Sequence, residues 1–190
     1  MLLFNRAGAT RASRTVSRGL LPFLLLAWAV SACSPTFNWR EWRSDGTPLL
    51  ALMPCKPESA VRPVPLGGAP TILHMHSCDA GGLTFAVAWA DLTDAARAPE
   101  ALGQWRGAAL AAIRLDPALA LDAQTQWDAR VPGAPTAQGL RAQGTTHDNR
   151  PVQMRAVYFA RGSQIYQAAV YGTRLPDAEV TTFFDGLRLP

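Results

Sequence analysis

The sequence predicts an α+β fold: an antiparallel β-sheet with one long central helix and a short C-terminal helix packed on it. Three observations point there. Short alternating segments fill both halves of the chain, most clearly Leu83 to Ala90 (LTFAVAWA). Between the halves the period changes, and Ala101, Leu102, Trp105, Ala108, Ala109, Ala112 and Ile113 recur at helical spacing. The resulting order is strands, one long helix, more strands and a final helix, which is that of an antiparallel sheet with helices laid against it.

Phe37 to Arg43 alternates loosely and reads as a first strand. Ser44-Asp45-Gly46-Thr47-Pro48 is turn chemistry. Leu49 to Met53 is a short apolar strand stopped by Pro54, and the Pro- and Gly-rich segment that follows is expected to loop out. Thr71 to Cys78 is the next strand, and Asp79-Ala80-Gly81-Gly82 is a hairpin turn into Leu83 to Ala90. There Leu83, Phe85, Val87 and Trp89 share one face, and Thr84, Ala86, Ala88 and Ala90 the other.

A helical piece from Asp94 to Arg97 can precede the long helix. Pro99 suits that helix's first turn, Glu100 complements its dipole, and Asp116-Pro117 ends it. Thr125 to Val131, Gln138 to Thr146, Val152 to Ala160 and Gln164 to Tyr171 read as strands, the last two as a hairpin about Arg161-Gly162-Ser163. A last helix opens at Leu175-Pro176-Asp177, runs through Phe184 and is capped by Gly186, leaving Leu187-Arg188-Leu189 extended.

The N-terminal segment has a different character. An arginine-bearing stretch, Met1 to Arg18, precedes the apolar run Leu20 to Val30, and Ser31-Ala32-Cys33 follows. At about 1.5 Å per residue that run reaches roughly half of a ~30 Å hydrocarbon core, so it reads as a signal region and not a spanning helix. Val30-Ser31-Ala32-Cys33 resembles a bacterial lipobox, which makes Cys33 the expected lipidation site. Residues 1–32 are then a removable leader, 33–38 a lipidated tether, and 39–190 one domain. Acyl chains contribute about 0.8 kcal/mol per buried methylene, so several of them make a stable membrane anchor. Ser34, in place of an aspartate, leans toward the outer membrane.

The leader also explains the net charge of +4. Arg6, Arg11, Arg14 and Arg18 all lie in it and no acid does, which leaves 14 basic and 14 acidic residues beyond it. A formally neutral domain has no electrostatic footprint for nucleic acid. With Cys33 acylated, Cys55 and Cys78 remain, and an oxidising compartment favours a disulfide between them. That bond would tie down the looped-out segment.

Four segments carry a family resemblance: Met53-Pro54-Cys55-Lys56-Pro57, the strand Leu83 to Ala90, the hairpin containing Arg161-Gly162-Ser163-Gln164-Ile165-Tyr166, and the ending Phe183-Phe184-Asp185-Gly186-Leu187-Arg188. Together they resemble small exported proteins of the PsbP-like or DcrB-like α/β sandwich, and the chain is similar to lipoproteins of betaproteobacteria. The resemblance implies an envelope protein with an accessory or binding role, attached through its lipid and able to engage an envelope partner. The family shares no catalytic motif, so no residue inherits a catalytic role, and no cofactor is implied.

Three alternatives rest on local residues. His74, His76 and Cys78 share one strand face, and two imidazoles with a sulfur could hold copper or zinc; this needs a free Cys78 thiol and a third ligand. A small hydrolase would set His74 or His147 against Asp79 or Asp148, or use Asp91 and Asp94, yet no nucleophile-elbow motif accompanies them. Trp39 and Trp42, interleaved with Arg40, Glu41 and Arg43 near the anchor, are candidates for a partner or membrane-surface patch.

Overall fold

The alternation read at Leu83 to Ala90 belongs to strand β5 (Leu83–Asp91), near the centre of the large sheet in the computed structural model, which describes residues 35–190. The other strands are β1 (Arg40–Arg43), β2 (Leu50–Met53), β3 (Glu58–Leu66), β4 (Ala69–Ala80), β6 (Gln126–Ala129), β7 (Ala137–Thr145), β8 (Pro151–Arg161) and β9 (Gln164–Gly172). The helices are α1 (Ala98–Ala112), entered through a 3₁₀ turn at Ala95–Arg97, and α2 (Asp177–Asp185). Seven strands form one sheet in the order β3-β4-β5-β9-β8-β7-β6, while β1 and β2 pair separately, and every pairing is antiparallel.

The large sheet is covered on both faces, which is why β5, β8 and β9 are buried along most of their length. On one face Phe85, Val87, Trp89, Val157, Phe159, Tyr166, Ala168 and Val170 pack with Leu49, Ala51 and Met53 of the small sheet region and with Val180 and Phe183 of α2. On the other, Ala88, Ala90, Ala156 and Ala169 form a low floor on which α1 lays Ala101, Trp105 and Ala109. Small residues there let the helix approach closely. The rings of Phe85 and Phe183 meet edge to face, 5.3 Å between centroids. Burying side chains of this size contributes about 1.5–3 kcal/mol each.

The main departure from the sequence reading is the segment expected to loop out. Residues 58–66 form β3, paired with β4 from Glu58↔Ser77 to Leu66↔Ala69. Gly67 and Gly68 make the two-residue turn, both at positive φ (59° and 79°), where a side chain would be strained. β3 is an edge strand exposed on both sides almost to its end, so it carries no apolar alternation to read. Its prolines are compatible with this position. If Leu66 and Ala69 form the hydrogen-bonded pair that closes such a turn, Pro63 and Pro65 fall at pairs that need no inward N–H. The turn is also held from the helix side. Arg97 donates to the carbonyls of Gly67 (2.8 Å), Leu66 (3.0 Å) and Leu92 (3.1 Å), and Gln104 Oε1 accepts from the Gly67 N–H (2.8 Å).

Other differences are smaller. The first strand is Arg40–Arg43 and not the full Phe37 to Arg43, and β6 is shorter than Thr125 to Val131. A 3₁₀ turn at Pro117–Leu121 follows α1, opened by Asp116 accepting from the Ala118 N–H. β6 is seated by a void: a Cβ on Gly139 would lie 2.0 Å from Cε2 of Trp127, so the indole covers the glycine and reaches Phe184. The chain's C-terminal stub closes on its N-terminal strands, with Leu50 N–H donating to Arg188 O (2.9 Å) and Arg188 N–H to Leu50 O (3.0 Å).

Candidate functional site

Cys33 and the leader lie outside the described residues. The cysteine pair is described: Cys55 and Cys78 form a disulfide with Cα atoms 6.0 Å apart. It does not fasten a slack loop as expected. Cys55 lies just beyond β2 and Cys78 faces the core from β4, so the bond ties the β2–β3 connection to the large sheet at the root of the β3–β4 hairpin.

That bond consumes the thiol that a metal centre at His74 and His76 would need. The two histidines do share a face of β4, each against an aromatic ring. His74 stacks on Trp89, and His76 lies against Trp42 with ring centroids 4.5 Å apart. Both nitrogens of His76 reach hydroxyls, Nδ1 to Ser59 Oγ at 2.9 Å and Nε2 to Ser44 Oγ at 3.4 Å. Burial first, and then the neighbouring His74, push its pKa below the ordinary imidazole value. Among the described residues no group of three His, Cys, Asp or Glu side chains is placed to hold a metal ion. The expected third ligand and free thiol are therefore not found there.

The hydrolase alternative fares no better in geometry. His147 Nε2 and Asp148 Oδ1 are 2.9 Å apart, but the imidazole is 88% exposed on the β7–β8 turn. Asp79 is engaged by Thr84 Oγ1 at 2.6 Å. Asp91 accepts from the Thr93 N–H at 2.8 Å, the leading cause of its lowered pKa, and Asp94 caps the 3₁₀ turn through the Ala96 N–H. Both carboxylates are committed to the entrance of the helix.

Trp39 and Trp42 turn inward and are half-buried. Trp39 stacks on Phe37 and meets Phe85 edge-on at 5.6 Å. The two indoles therefore pack the small sheet region against the large one.

The feature that sequence reading missed lies on the other side of the sheet. A cavity of about 410 Å³ opens between α1 and strands β6 to β8, lined by Ala98, Pro99, Leu102, Arg106, Asp128, Thr136, Ala137, Gln138, Tyr158 and Ala160. Arg106 donates through Nη1 to Gln138 Oε1, and Gln138 donates in turn to Gln126 Oε1. The Arg106 Nε is buried and has no hydrogen-bond partner. The Tyr158 hydroxyl accepts from Gln167 Nε2 at 2.7 Å, and burial pushes its pKa well above the ordinary phenol value. Arg106 and Gln138 are 32 residues apart and belong to unrelated patterns, so only the fold brings them together.

No protein-family model matches the chain, and no curated protein matches it.

Proposed function

We propose that the chain is an envelope-anchored lipoprotein, acylated at Cys33, whose folded domain has a binding or accessory role and no catalytic one. The observation that carries this reading is the division of labour among the three cysteines. Cys55 and Cys78 are joined in a largely buried disulfide, a bond suited to an oxidising compartment, and Cys33 stands alone at the end of an apolar leader. An antiparallel sheet covered on both faces is in keeping with the PsbP-like or DcrB-like sandwich that the sequence resembles, and that assignment belongs to the same proposal. The outer membrane is the favoured location, from Ser34. The metal reading is not favoured, because the chemistry it needs at Cys78 is spent.

The test is mass spectrometry of the protein isolated from native membranes. The expected result is a mature N-terminus at Cys33 bearing a diacylglyceryl group, and a Cys33→Ala variant that is neither processed nor acylated. An intact leader, or an unmodified thiol at position 33, would overturn the anchor.

A further inference from the structure

We infer that the cavity between α1 and β6–β8 is a binding site for a small monocarboxylate with an apolar body, held by Arg106. This inference deepens the binding role proposed above and rests on it.

A guanidinium has five N–H donors and no acceptor, and its fork matches a carboxylate. Arg106 spends one donor on Gln138, while its buried Nε has no partner. A buried donor without an acceptor is costly, and native proteins leave few of them. No carboxylate lies within ion-pair distance of Arg106 among the described residues. Its charge therefore has no directly ion-paired partner among the described residues, at the wall of a space large enough for a small organic molecule.

The rest of the lining sets the ligand class. Ala98, Pro99, Leu102, Ala137, Ala160 and the ring of Tyr158 supply apolar walls. Asp128 also lines the cavity, so a second negative charge on the ligand would meet a carboxylate. A dianion such as sulfate would carry a second charge that Arg106 does not match and Asp128 repels, so a singly charged carboxylate paired directly with the guanidinium is the better match. Gln138 is fixed by Gln126 on its far side, so it holds the guanidinium in place and does not compete for it.

The full chain, purified in detergent micelles, is titrated with benzoate while the Arg106 Nε–H resonance is followed by NMR, with benzamide as the neutral control of similar shape and protein-free micelles as the partition control. The expected result is a saturable shift with benzoate and binding of benzamide weaker by roughly tenfold or more. Arg106→Gln should lose saturable benzoate binding in equilibrium dialysis, the readout used for this variant because it lacks the Nε–H reporter. Because that change could disturb α1, Ala160→Leu is the second variant: it fills the cavity, keeps the guanidinium, and should also abolish the shift. Equal binding of benzamide, equal binding of sulfate, or an undiminished response in Ala160→Leu would each overturn the site. Mass spectrometry of the same sample separates the two proposals. A Cys33-acylated protein with no benzoate response refutes the ligand alone, whereas an unacylated one refutes the anchor.

Discussion

The imidazole of His74 lies flat on the indole of Trp89, with centroids 4.1 Å apart and planes within 5°. The two residues are directly opposed across β4 and β5. Two residues further along the same face of β4, His76 is packed against Trp42. His76 thus sits between the small sheet and the large one, with its polar edge met by two serines, while His74 stacks within the large sheet. Aromatic pairs of this kind contribute about 0.5–1.5 kcal/mol beyond their buried area. His74→Ala should lower stability by about that amount plus the lost packing, measured by urea denaturation; an unchanged midpoint would show that the stack contributes nothing.

His76 also makes stability depend on pH, and the sign follows from its environment. Its folded pKa lies below the unfolded value because burial, with His74 nearby, opposes the charged form. Between the two values the unfolded chain binds more protons, so stability is complete above about pH 6.5 and is lost as pH falls through the folded pKa. Melting temperatures of the wild type and His76→Gln should converge as pH is lowered from about 8 to about 5. A constant difference across that range would assign the acid sensitivity elsewhere.

Gly139 is predicted to accept no side chain. Even alanine would drive a methyl into Trp127. Overpacking of this sort costs about 1–3 kcal/mol, and here it should lift β6 off β7. Gly139→Ala should lower the denaturation midpoint and increase exchange at the amides of 126–129. Adding Trp127→Ala should recover part of the loss, because the clash goes with the ring. Additive effects would contradict the packing described.

The disulfide closes a loop with a sequence separation of 23. In the chain-entropy model such a bond stabilises by about 3 kcal/mol. Cys55→Ala with Cys78→Ala should lose that amount in denaturant titrations and loosen the root of the β3–β4 hairpin. The hairpin tip, held by Arg97 and Gln104, should retain its protection in hydrogen exchange, and loss of protection along the whole hairpin would show that the two fastenings act as one.

Pro63 and Pro65 are predicted to guard a sheet edge. Proline offers no N–H, so the outward side of β3 lacks two donors that a docking strand would use. Val61 and Ile72, 61% and 51% exposed, lie close by on the same face of this hairpin. Replacing both prolines with valine should create a concentration-dependent larger species in sedimentation that the parent lacks.

The strands that could be read directly were those whose two faces differ in chemistry. β5 sends Phe85, Val87 and Trp89 one way and alanines the other, and both environments exist in the folded protein. α1 was equally legible from its stripe, as was the β8–β9 hairpin from its turn. β3 was not, because an exposed edge strand buries only Leu66 and its prolines imitate a loop. Its strand character comes from pairing with β4. The covering of opposite faces by α1 and α2 was likewise beyond periodicity, which shows that a helix has an apolar side but not which sheet face receives it. The histidine cluster was seen in sequence, but its aromatic neighbours come from β1 and β5 and only pairing reveals them. The Arg106 cavity could not be seen at all: a polar residue on an amphipathic helix ordinarily reads as solvent-facing.

The closure of Arg188 onto β2 and onto Glu41 has a consequence for how the protein is made. Glu41 and Arg188 are ion-paired across 147 residues of sequence. A chain that emerges N-terminus first must expose β1 and β2 long before their last partner is synthesised. The stretch next to the proposed acyl group would then remain open, and available to folding helpers or proteases, until the final residues arrive. Truncation after Gly186 should leave that stretch protease-sensitive while the central sheet survives digestion.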